Sequence, residues 1–273
     1  MSSFSDLPLL PSLVSGLTEQ GLTTPTEIQS QTLPALLQGR SLVGVAETGS
    51  GKTLAYVLPM LHLLKSLENE GSSVTATGSP RGLVLAPGRE LGEQVAKVFK
   101  TLTHAARVRV RTALGGTAKK IASKGVAGNF EILVATPGRL VQLLDSGELK
   151  LNDVRMLVFD EADQILDHGF LPVAQRILRA CPKDAQLVMF SATLPDALEA
   201  VVGQIFATPP LRVRTRGSQR VVRTLKTENR QVGGATRLEI LHSVLTKGPK
   251  VGSLLFANTR AQCEAVSLFL DNE

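Results

Sequence analysis

The sequence predicts an α/β fold in which a parallel β-sheet is covered by helices on both faces. Seven apolar, strand-like segments follow one another, and each pair is separated by a stretch with room for a helix. This order favours parallel pairing, because parallel strands need a crossover connection. The segments are residues 41–46, 82–87, 108–114, 131–137, 154–160, 186–192 and 211–215.

Two of the intervening stretches have apolar residues at helical spacing, which predicts helices over 89–102 and 171–180. Ligands of open parallel sheets bind beyond the carboxyl ends of the strands. The residues that directly follow each predicted strand are therefore the candidates for a functional site.

Composition excludes several classes of protein. The 273 residues suffice for one full domain and part of another, and the absence of Trp with a single Tyr argues against an aromatic-rich recognition module. No apolar run approaches the roughly 20 residues of a membrane span, and the first residues lack the basic region of a secretory signal. This lack of an apolar run predicts no contact with a membrane. Cys181 and Cys263 are far apart, so we expect free thiols in a reducing, cytoplasmic compartment.

The net charge of +6 lies in the last quarter of the chain. Residues 1–200 carry 19 basic and 19 acidic side chains, whereas residues 201–273 carry 11 and 5. The sequence LRVRTR places Arg212, Arg214 and Arg216 on one face of a strand. Such a stripe attracts phosphate backbones, and a solvated edge strand or linker is an equally good interpretation.

A glycine-rich loop, AETGSGKT, follows the first predicted strand from Ala46 to Thr53. Glycines let the backbone curl so that N–H groups point at phosphate oxygens, and the next helix adds the positive end of its dipole. Lys52 can reach the outer phosphates of a nucleotide, and the Thr53 hydroxyl is placed to bind Mg²⁺. A chance glycine-rich turn is the alternative, which the flanking strand and helix disfavour.

Three carboxylates lie within four positions at the end of another predicted strand: Asp160, Glu161 and Asp163. Like charges this close repel one another, so something must offset them. The candidates are a bound metal ion, a basic residue elsewhere in the fold, or solvation at a surface turn.

The glycine-rich loop makes the metal the favoured candidate. If both strands belong to one parallel sheet, their carboxyl ends face one crevice. Asp160 can then hold the hydration shell of a Mg²⁺ ion that bridges phosphates, and Glu161 can orient and deprotonate the attacking water. Asp163 begins the next helix, where a carboxylate suits the helix dipole.

The chain also contains other motifs in the order found in the DEAD-box RNA helicases of superfamily 2. It resembles these proteins over essentially its whole length. Residues 160–163 spell the name of that family. The other motifs are GLTTPTEIQ (21–29) with the isolated Phe4 upstream, GG (115–116), TPGR (136–139), SAT (191–193) and LLFANTR (254–260).

The resemblance implies a RecA-like domain of the P-loop NTPase class that uses ATP and Mg²⁺ and binds RNA. It assigns catalysis to Lys52, Asp160 and Glu161, and the metal to Thr53 and Asp160. It assigns ATP binding to Phe4, Gln29, Ala46, Glu47, Thr48, Gly49, Ser50, Gly51, Lys52 and Thr53. It assigns RNA backbone contacts to Pro87, Arg89, Gly116, Thr136, Pro137, Gly138 and Arg139. It assigns the coupling of hydrolysis to strand separation to Asp163, Ser191 and Thr193.

The adenine contacts have simpler alternatives. The amide of Gln29 can pair with N6 and N7 of adenine, which would select ATP over GTP, and Phe4 could stack on the base. Taken without the family spacing, Gln29 is better explained as a surface side chain and Phe4 as a core anchor.

The polar residues of the other motifs also have alternatives. Arg139 suits a phosphate contact, which positions a nucleic-acid strand without reading its sequence, or it is merely a charge at a helix start. Ser191 and Thr193 could hydrogen-bond Asp163, or they could cap the helix that begins near Pro195.

Three positions depart from the family pattern. Gly88 stands where the family has Thr, so a hydroxyl contact to phosphate is missing. Leu22 replaces a common aromatic residue, and Glu47 replaces a common Gln in the phosphate loop. We expect neither of the last two to abolish ATP binding.

The domain organisation that we expect has four parts: a Q-motif region (1–30), a first RecA-like domain (31–215), a linker with the first strand of a second domain (216–235), and an incomplete second RecA-like domain (236–273). In the last part we expect a helix, a strand at GSLLFANT and another helix. The family's arginine-rich motif is not in this sequence, so we expect a truncated chain that binds nucleotide but hydrolyses it only at a background rate.

The function expected from these features is ATP-dependent RNA helicase activity by a monomer that contacts RNA through its backbone. One alternative is a DNA translocase of the same superfamily, which stimulation of ATP hydrolysis by DNA would reveal. The other is a non-catalytic ATP- or RNA-binding adaptor, against which the joint presence of Lys52, Asp160 and Glu161 argues. Nothing in the sequence indicates a protein partner.

Overall fold

A computed structural model describes residues 3–74, 76–116, 125–166, 171–216, 226, 228–229, 231–233, 236–248 and 252–271 of the chain. These residues belong to two compact units, Met1–Arg220 and Val221–Glu273. The first unit contains the sheet and all of the predicted site residues. The two units are described separately below.

All seven predicted strands form, and they build one parallel sheet in the order β3-β4-β2-β5-β6-β1-β7. The predicted fold class is therefore confirmed. The strands are β1 (Leu42–Val45), β2 (Gly82–Leu85), β3 (Val110–Ala113), β4 (Ile132–Ala135), β5 (Met156–Asp160), β6 (Gln186–Ser191) and β7 (Leu211–Arg214).

The first two helices of this unit precede β1, and the others lie between successive strands; both predicted helices are among them. They are α1 (Pro11–Glu19), α2 (Glu27–Leu37), α3 (Lys52–Asn69), α4 (Arg89–Ala106), α5 (Pro137–Asp145), α6 (Ala162–Ile165), α7 (Leu171–Ala180) and α8 (Asp196–Ile205), with a 3₁₀ turn at Phe4–Asp6. None of the described helices has the length and hydrophobicity that a membrane crossing requires.

The sheet separates two hydrophobic layers, which explains why the central strands are apolar throughout. Side chains alternate between the faces of a strand, so Leu42 packs with α1–α4 on one side while Val43 packs with α5, α7 and α8 on the other. Every residue of β1, β2, β4, β5 and β6 is buried. The site is thus built on strands that are fixed from both faces.

Strand order places the candidate site at the middle of the sheet. β6 lies between β1 and β5, and it pairs Ser191 with Val45 on one side and Phe190 with Asp160 on the other. The carboxyl ends of β1, β6 and β5 are therefore adjacent. The glycine-rich loop, the SAT motif and the acidic cluster start from these three ends.

In the second unit, α9 (Arg237–Lys247) and α10 (Arg260–Asp271) form, but the strand predicted at 252–259 does not. A β-strand needs a neighbour for its backbone N–H and C=O groups, and none of the described residues provides one there. Leu254 and Phe256 are 79% and 88% exposed. Most of the linker and strand predicted over 216–235 lies outside the described residues.

Two glycine substitutions test the sheet packing. A Cβ atom at Gly44 in β1 would lie 2.5 Å from the ring of Phe190, whereas nothing lies within 4 Å of a Cβ atom at Gly203 in α8. We expect Gly44→Ala to lower the free energy of unfolding by about 1–3 kcal/mol because the core has no room for it. Gly203→Ala, the matched control, should raise it by about 0.5–1 kcal/mol, because Ala is the better helix former. Urea denaturation of both variants measures these changes, and a neutral Gly44→Ala would contradict the packing.

Candidate functional site

The loop after β1 enters α3 through two glycines in the left-handed region of backbone space. Gly49 has a φ of 83° and Gly51 a φ of 95°. A Cβ atom on Gly51 would also lie 2.5 Å from Nε2 of Gln29, so no side chain fits there. No side chain of the described residues caps the start of α3 at Gly51. The first N–H groups of this helix and the positive end of its dipole are therefore available to an anion.

Lys52, the first residue of α3, joins this loop to the end of β5. Its Nζ donates to the carbonyl oxygen of Ala46 at 2.9 Å and lies 3.1 Å from Oε1 of Glu161. The side chains of Lys52 and Glu161 are only 6% and 14% exposed. A buried ammonium group is tolerated only when it is paired and hydrogen-bonded. Lys52 is therefore a basic residue that offsets the charge of the acidic cluster. A basic residue elsewhere in the fold was one of the three explanations considered for that cluster.

Asp160 ends β5 and is 7% exposed. Its Oδ2 accepts a hydrogen bond of 2.9 Å from the hydroxyl of Tyr56, which lies on α3 and is fully buried. Burial raises the pKa of Asp160 to about 6, although the Tyr56 hydrogen bond and the charge of Lys52 act in the opposite direction. The fold therefore holds a carboxylate in a place that disfavours its charge, which is typical of functional sites.

Glu161 adopts an unusual backbone conformation. Its φ is 49°, which a residue with a Cβ atom rarely adopts and which costs about 1–2 kcal/mol. It precedes α6 as the N-cap residue. The strained turn directs its side chain to Lys52, and strain of this kind clusters at functional sites.

The glycine-rich loop and the acidic cluster border one cavity of about 280 Å³. Residues of the glycine-rich loop and of the acidic cluster line it together with three residues of α4. The lining residues are Thr48, Gly49, Gly51, Lys52, Thr53, Leu91, Gln94, Val95, Asp160 and Glu161. Ala46, Glu47 and Ser50 shape the loop instead: Ser50 donates its hydroxyl proton to the carbonyl of Glu47 at 2.7 Å.

Gln29 is buried, with 2% of its surface exposed, so it is not the surface side chain that its sequence alone favoured. Its Oε1 accepts the N–H of Thr26 at 2.9 Å, and its Nε2 donates to the carbonyl of Gly51 at 3.0 Å. The amide thus fastens α2 to the phosphate loop. An amide has two donor protons and two acceptor lone pairs, of which these bonds use one each. Adenine recognition by Gln29 stays a prediction.

Phe4 is a core anchor in this structure. Its side chain is 2% exposed and packs with the hydrophobic layer of α1–α4. Its N–H also donates to the carbonyl of Thr23 at 3.1 Å, which ties the first residues to the segment before α2. A stacked base needs an exposed ring face, so the structure favours the core-anchor alternative over base stacking.

A Mg²⁺ ion fits the donors in the cavity. Among the described residues, no three His, Cys, Asp or Glu side chains converge on a metal position. Mg²⁺ in nucleotide sites needs no such group, because one or two carboxylates, phosphate oxygens and water complete its octahedron. The buried carboxylate of Asp160 and the hydroxyl of Thr53 line the same cavity and are oxygen donors of the required kind.

A second cavity of about 480 Å³ contains the residues predicted to contact RNA. The first turns of α4 and α5 both open into it, and no side chain of the described residues caps either helix at Gly88 or Thr136. Two helix N-termini and two arginines suit phosphate groups. Its lining residues are Pro87, Gly88, Arg89, Gly115, Gly116, Thr136, Pro137, Gly138, Arg139 and Gln142.

Local hydrogen bonds hold this second cavity in shape. The hydroxyl of Thr136 accepts the N–H of Gly115 at 3.0 Å, which joins the loops after β3 and β4. Arg139 donates to Gln142 at 2.8 Å, and Arg89 donates to Glu93 at 2.8 Å along α4. Arg89 is exposed, and its surface ion pair with Glu93 is weak, so it can be exchanged for a phosphate contact at little cost. Arg139 is half-buried, and its partner Gln142 is neutral.

Asp163 connects the ends of β5 and β6. Its Oδ2 accepts hydrogen bonds from the hydroxyl of Thr193 at 2.7 Å and from the N–H of Thr193 at 3.3 Å. The N–H of Asp163 donates to the Ser191 hydroxyl at 3.3 Å. The N-cap residue of α8 is Pro195, and neither Ser191 nor Thr193 caps that helix among the described residues. The first of the two alternatives for these residues therefore describes the structure.

Comparison with known proteins gives a consistent result. Residues 26–201 match the DEAD/DEAH box helicase family. The chain belongs to this family. It is 31% identical over 265 residues to the ATP-dependent RNA helicase RhlB of Actinobacillus succinogenes, with 96% of this chain and 63% of that protein covered. It is also 31% identical over 271 residues to the ATP-dependent RNA helicase CshA of Listeria monocytogenes, with 99% and 50% covered.

The structure agrees with the family assignment. A crystal structure of a DEAD box protein from Methanococcus jannaschii superimposes with a TM-score of 0.71 at 27% identity, covering all of this chain and 70% of the other. The DEAD-box resemblance and the RecA-like fold are thus confirmed. The chain spans about half to two thirds of the length of the two bacterial relatives.

The basic stripe of this DEAD/DEAH box helicase chain is partly paired. Arg212, Val213 and Arg214 alternate exposed, buried and exposed in β7, as the sequence predicted. Arg212 forms an ion pair of 2.5 Å with Glu199 of α8. A surface ion pair on an edge strand supports the interpretation of this stripe as a solvated edge.

Sequence reasoning missed four residues around the phosphate cavity. Tyr56 contacts Asp160, and Leu91, Gln94 and Val95 of α4 line the cavity. None of the residues assigned by the resemblance lies between Thr53 and Pro87 or between Arg89 and Gly116, so these four were not named. Tyr56 lies three positions after Thr53 on the same helix, which is the one signal that could have indicated it.

Asp160 should make folding less favourable at neutral pH than near pH 4. Its pKa is about 6 in the folded chain and 3.8 in the unfolded chain, so the folded form binds more protons between these values and loses stability as pH rises through 6. We expect Asp160→Asn to raise the free energy of unfolding at pH 7.5 by about 1–3 kcal/mol, with no gain near pH 3.5. Urea denaturation in EDTA measures this. The exposed Asp184→Asn is the control, and a gain that did not depend on pH would contradict the assignment.

Proposed function

We propose that this protein is an ATP-dependent RNA helicase that couples hydrolysis of ATP·Mg²⁺ to the local separation of short RNA duplexes. The observation that carries the proposal is the meeting of Lys52, Asp160 and Glu161 in one cavity beside an uncapped helix start. The relatives named above are ATP-dependent RNA helicases. The RNA-contact motifs form a separate cavity, so one chain offers places for both ligands.

The phosphate loop binds the nucleotide in this proposal. The N–H groups at the start of α3 hold phosphate oxygens, and Lys52 contacts the outer phosphates. Gln29 keeps Gly51 in the conformation that exposes these donors. Bound Mg²⁺ would neutralise charge on the phosphates and align them. Thr53 and Asp160 would hold it.

Binding of a nucleotide also changes the state of Glu161. Lys52 pairs with Glu161 at 3.1 Å. When Lys52 turns to a phosphate, the carboxylate loses its partner and gains the freedom to accept a proton from water. The attacking water is then activated only when the phosphates are present. This exchange of partners would link nucleotide binding to catalysis.

RNA contacts and their coupling to hydrolysis follow from the second cavity and from Asp163. Arg89, Gly116 and Arg139 would contact backbone phosphates, which makes binding independent of base sequence. Pro87, Thr136, Pro137 and Gly138 shape the two turns from which these contacts are made. Asp163 hydrogen-bonds Thr193, so a shift of the acidic cluster is passed to the end of β6.

Two finer points belong to the proposal. We place the protein in a reducing compartment such as the cytoplasm, which the free thiols of Cys181 and Cys263 support. We also propose that it acts as a monomer whose domains follow the four parts given above.

Replacement of Lys52 tests nucleotide binding. Lys52→Ala should weaken the binding of fluorescent ADP and ATP by about 10- to 100-fold, because hydrogen bonds to a charged group contribute about 1.5–3 kcal/mol. Lys65→Ala is the matched control: this lysine lies on the same helix and pairs only with Glu68 at 2.7 Å. Equal affinity of the Lys52→Ala and wild-type proteins would show that the nucleotide binds elsewhere.

Replacement of the two arginines tests RNA binding. Arg89→Ala and Arg139→Ala should each weaken binding to single-stranded RNA of any sequence and lower the salt dependence of log Kd by about 1. Arg176→Ala is the control, since Arg176 pairs with Asp145 away from the cavity. Fluorescence anisotropy at several salt concentrations gives both quantities. Sequence-selective binding that persists at high salt would refute the proposed contacts.

A further inference from the structure

Tyr56 hydrogen-bonds Asp160, one of the two residues proposed for the metal. It is fully buried on α3, and its hydroxyl donates to Oδ2 of Asp160 at 2.9 Å. Tyr56 belongs to α3 and Asp160 ends β5, so this hydrogen bond joins the two elements that border the cavity.

We propose that Tyr56 is a positioning residue for the divalent cation, which it serves by fixing the carboxylate of Asp160. This inference rests on the proposed function, because it concerns the same nucleotide site. Tyr56 does not contact the cation itself. It acts through the carboxylate of Asp160, which would hold the cation.

Packing alone does not explain the hydroxyl group. The ring of Tyr56 lies 5.8 Å from that of Phe190 at an angle of 41°, and a Phe ring would make the same contact. A buried hydroxyl carries a desolvation cost unless it is hydrogen-bonded. Its partner here is Asp160, so the effect of the hydroxyl is exerted on that carboxylate.

A carboxylate needs such a donor to be held in one orientation. The terminal torsion of an Asp side chain has broad minima, so the group rotates unless hydrogen bonds fix it. The hydroxyl of Tyr56 hydrogen-bonds the Asp160 carboxylate and restricts this rotation. A phenol is protonated at neutral pH, so the hydroxyl is available as a donor to this carboxylate.

Fixed ligands favour Mg²⁺ over a larger cation. Mg²⁺ demands near-ideal octahedral geometry, whereas Ca²⁺ accepts more ligands in variable arrangements. If Tyr56 fixes Asp160, removal of its hydroxyl should weaken Mg²⁺ binding more than Ca²⁺ binding. A role in stability alone would not change the preference between two cations.

The test compares Tyr56→Phe with wild-type protein in titrations of Mg²⁺ and of Ca²⁺ at a fixed concentration of fluorescent ADP. We expect Tyr56→Phe to need about ten-fold more Mg²⁺ for half-maximal binding, as for other residues that orient a metal ligand. The Ca²⁺ concentration for half-maximal binding should rise less, and the affinity for ADP in EDTA should not change. Thr32→Val is the matched control, because it removes another buried hydroxyl, which donates to the carbonyl of Ile28 at 2.7 Å.

A double variant tests whether Tyr56 acts through Asp160. In an Asp160→Asn protein, Tyr56→Phe should cause no further change in the Mg²⁺ requirement, because coupled residues do not contribute additively. A second ten-fold loss would mean that Tyr56 acts by another route, and the inference would be wrong.

The composition of the chain permits a measurement without any substitution. Tyr56 is the only Tyr in the 273 residues, and there is no Trp. Incorporation of 3-fluorotyrosine therefore labels this position alone. We expect the ¹⁹F resonance to shift when Mg²⁺ is added to the ADP complex and to return when EDTA is added. This readout remains decisive if Tyr56→Phe folds poorly.

The outcomes separate this inference from the proposed function. If wild-type protein binds ADP in a Mg²⁺-dependent manner but Tyr56→Phe has the same Mg²⁺ requirement, only the inference is refuted. A ¹⁹F resonance that does not shift when Mg²⁺ is added to the ADP complex also refutes the inference. If wild-type protein shows no Mg²⁺-dependent nucleotide binding at all, the proposed function fails and the inference fails with it.

Discussion

The buried ion pair between Lys52 and Glu161 is the interaction on which the site depends. It joins residues 109 positions apart in the chain at a distance of 3.1 Å. Only the parallel sheet makes this possible, because β1 and β5 both end at the same edge with β6 between them. A one-residue change of register in either strand would turn its side chains to the opposite face and separate the pair. The hydrophobic layers on both faces of the sheet therefore serve the site by fixing that register.

The site holds several features that oppose folding, and each has a functional use. Asp160 is a carboxylate with a raised pKa, Glu161 has a left-handed backbone, and the helix starts at Gly51, Gly88 and Thr136 lack side-chain caps among the described residues. Uncapped N–H groups are useful to an anion and unfavourable without one. The buried central strands offset these costs. Ligand binding should accordingly stabilise the protein, since a ligand relieves the same costs.

The fold and the phosphate site were predictable because their signals are local. Alternating strands and helices, the glycine spacing and the acidic cluster are each contained in a few neighbouring residues. For Phe4, the family spacing indicated base stacking, whereas the residue taken alone indicated the core anchor that the structure shows. The prediction of a strand at 252–259 was wrong, because strand pairing depends on distant partners. Tyr56 was missed for a related reason: its hydroxyl acquires a role only when helix α3 packs against the end of β5. The amide of Gln29 likewise supports Gly51, a contact across 22 residues that its motif does not reveal.

The central claim is that Lys52 exchanges Glu161 for a phosphate when nucleotide binds. A crystal structure of the chain with ADP and Mg²⁺ tests it most directly. We predict a phosphate within hydrogen-bonding distance of Lys52 Nζ, with the Lys52–Glu161 separation increased beyond the 3.1 Å described above. A structure in which the pair remains closed and the phosphates lie outside the cavity formed by the glycine-rich loop would contradict the account.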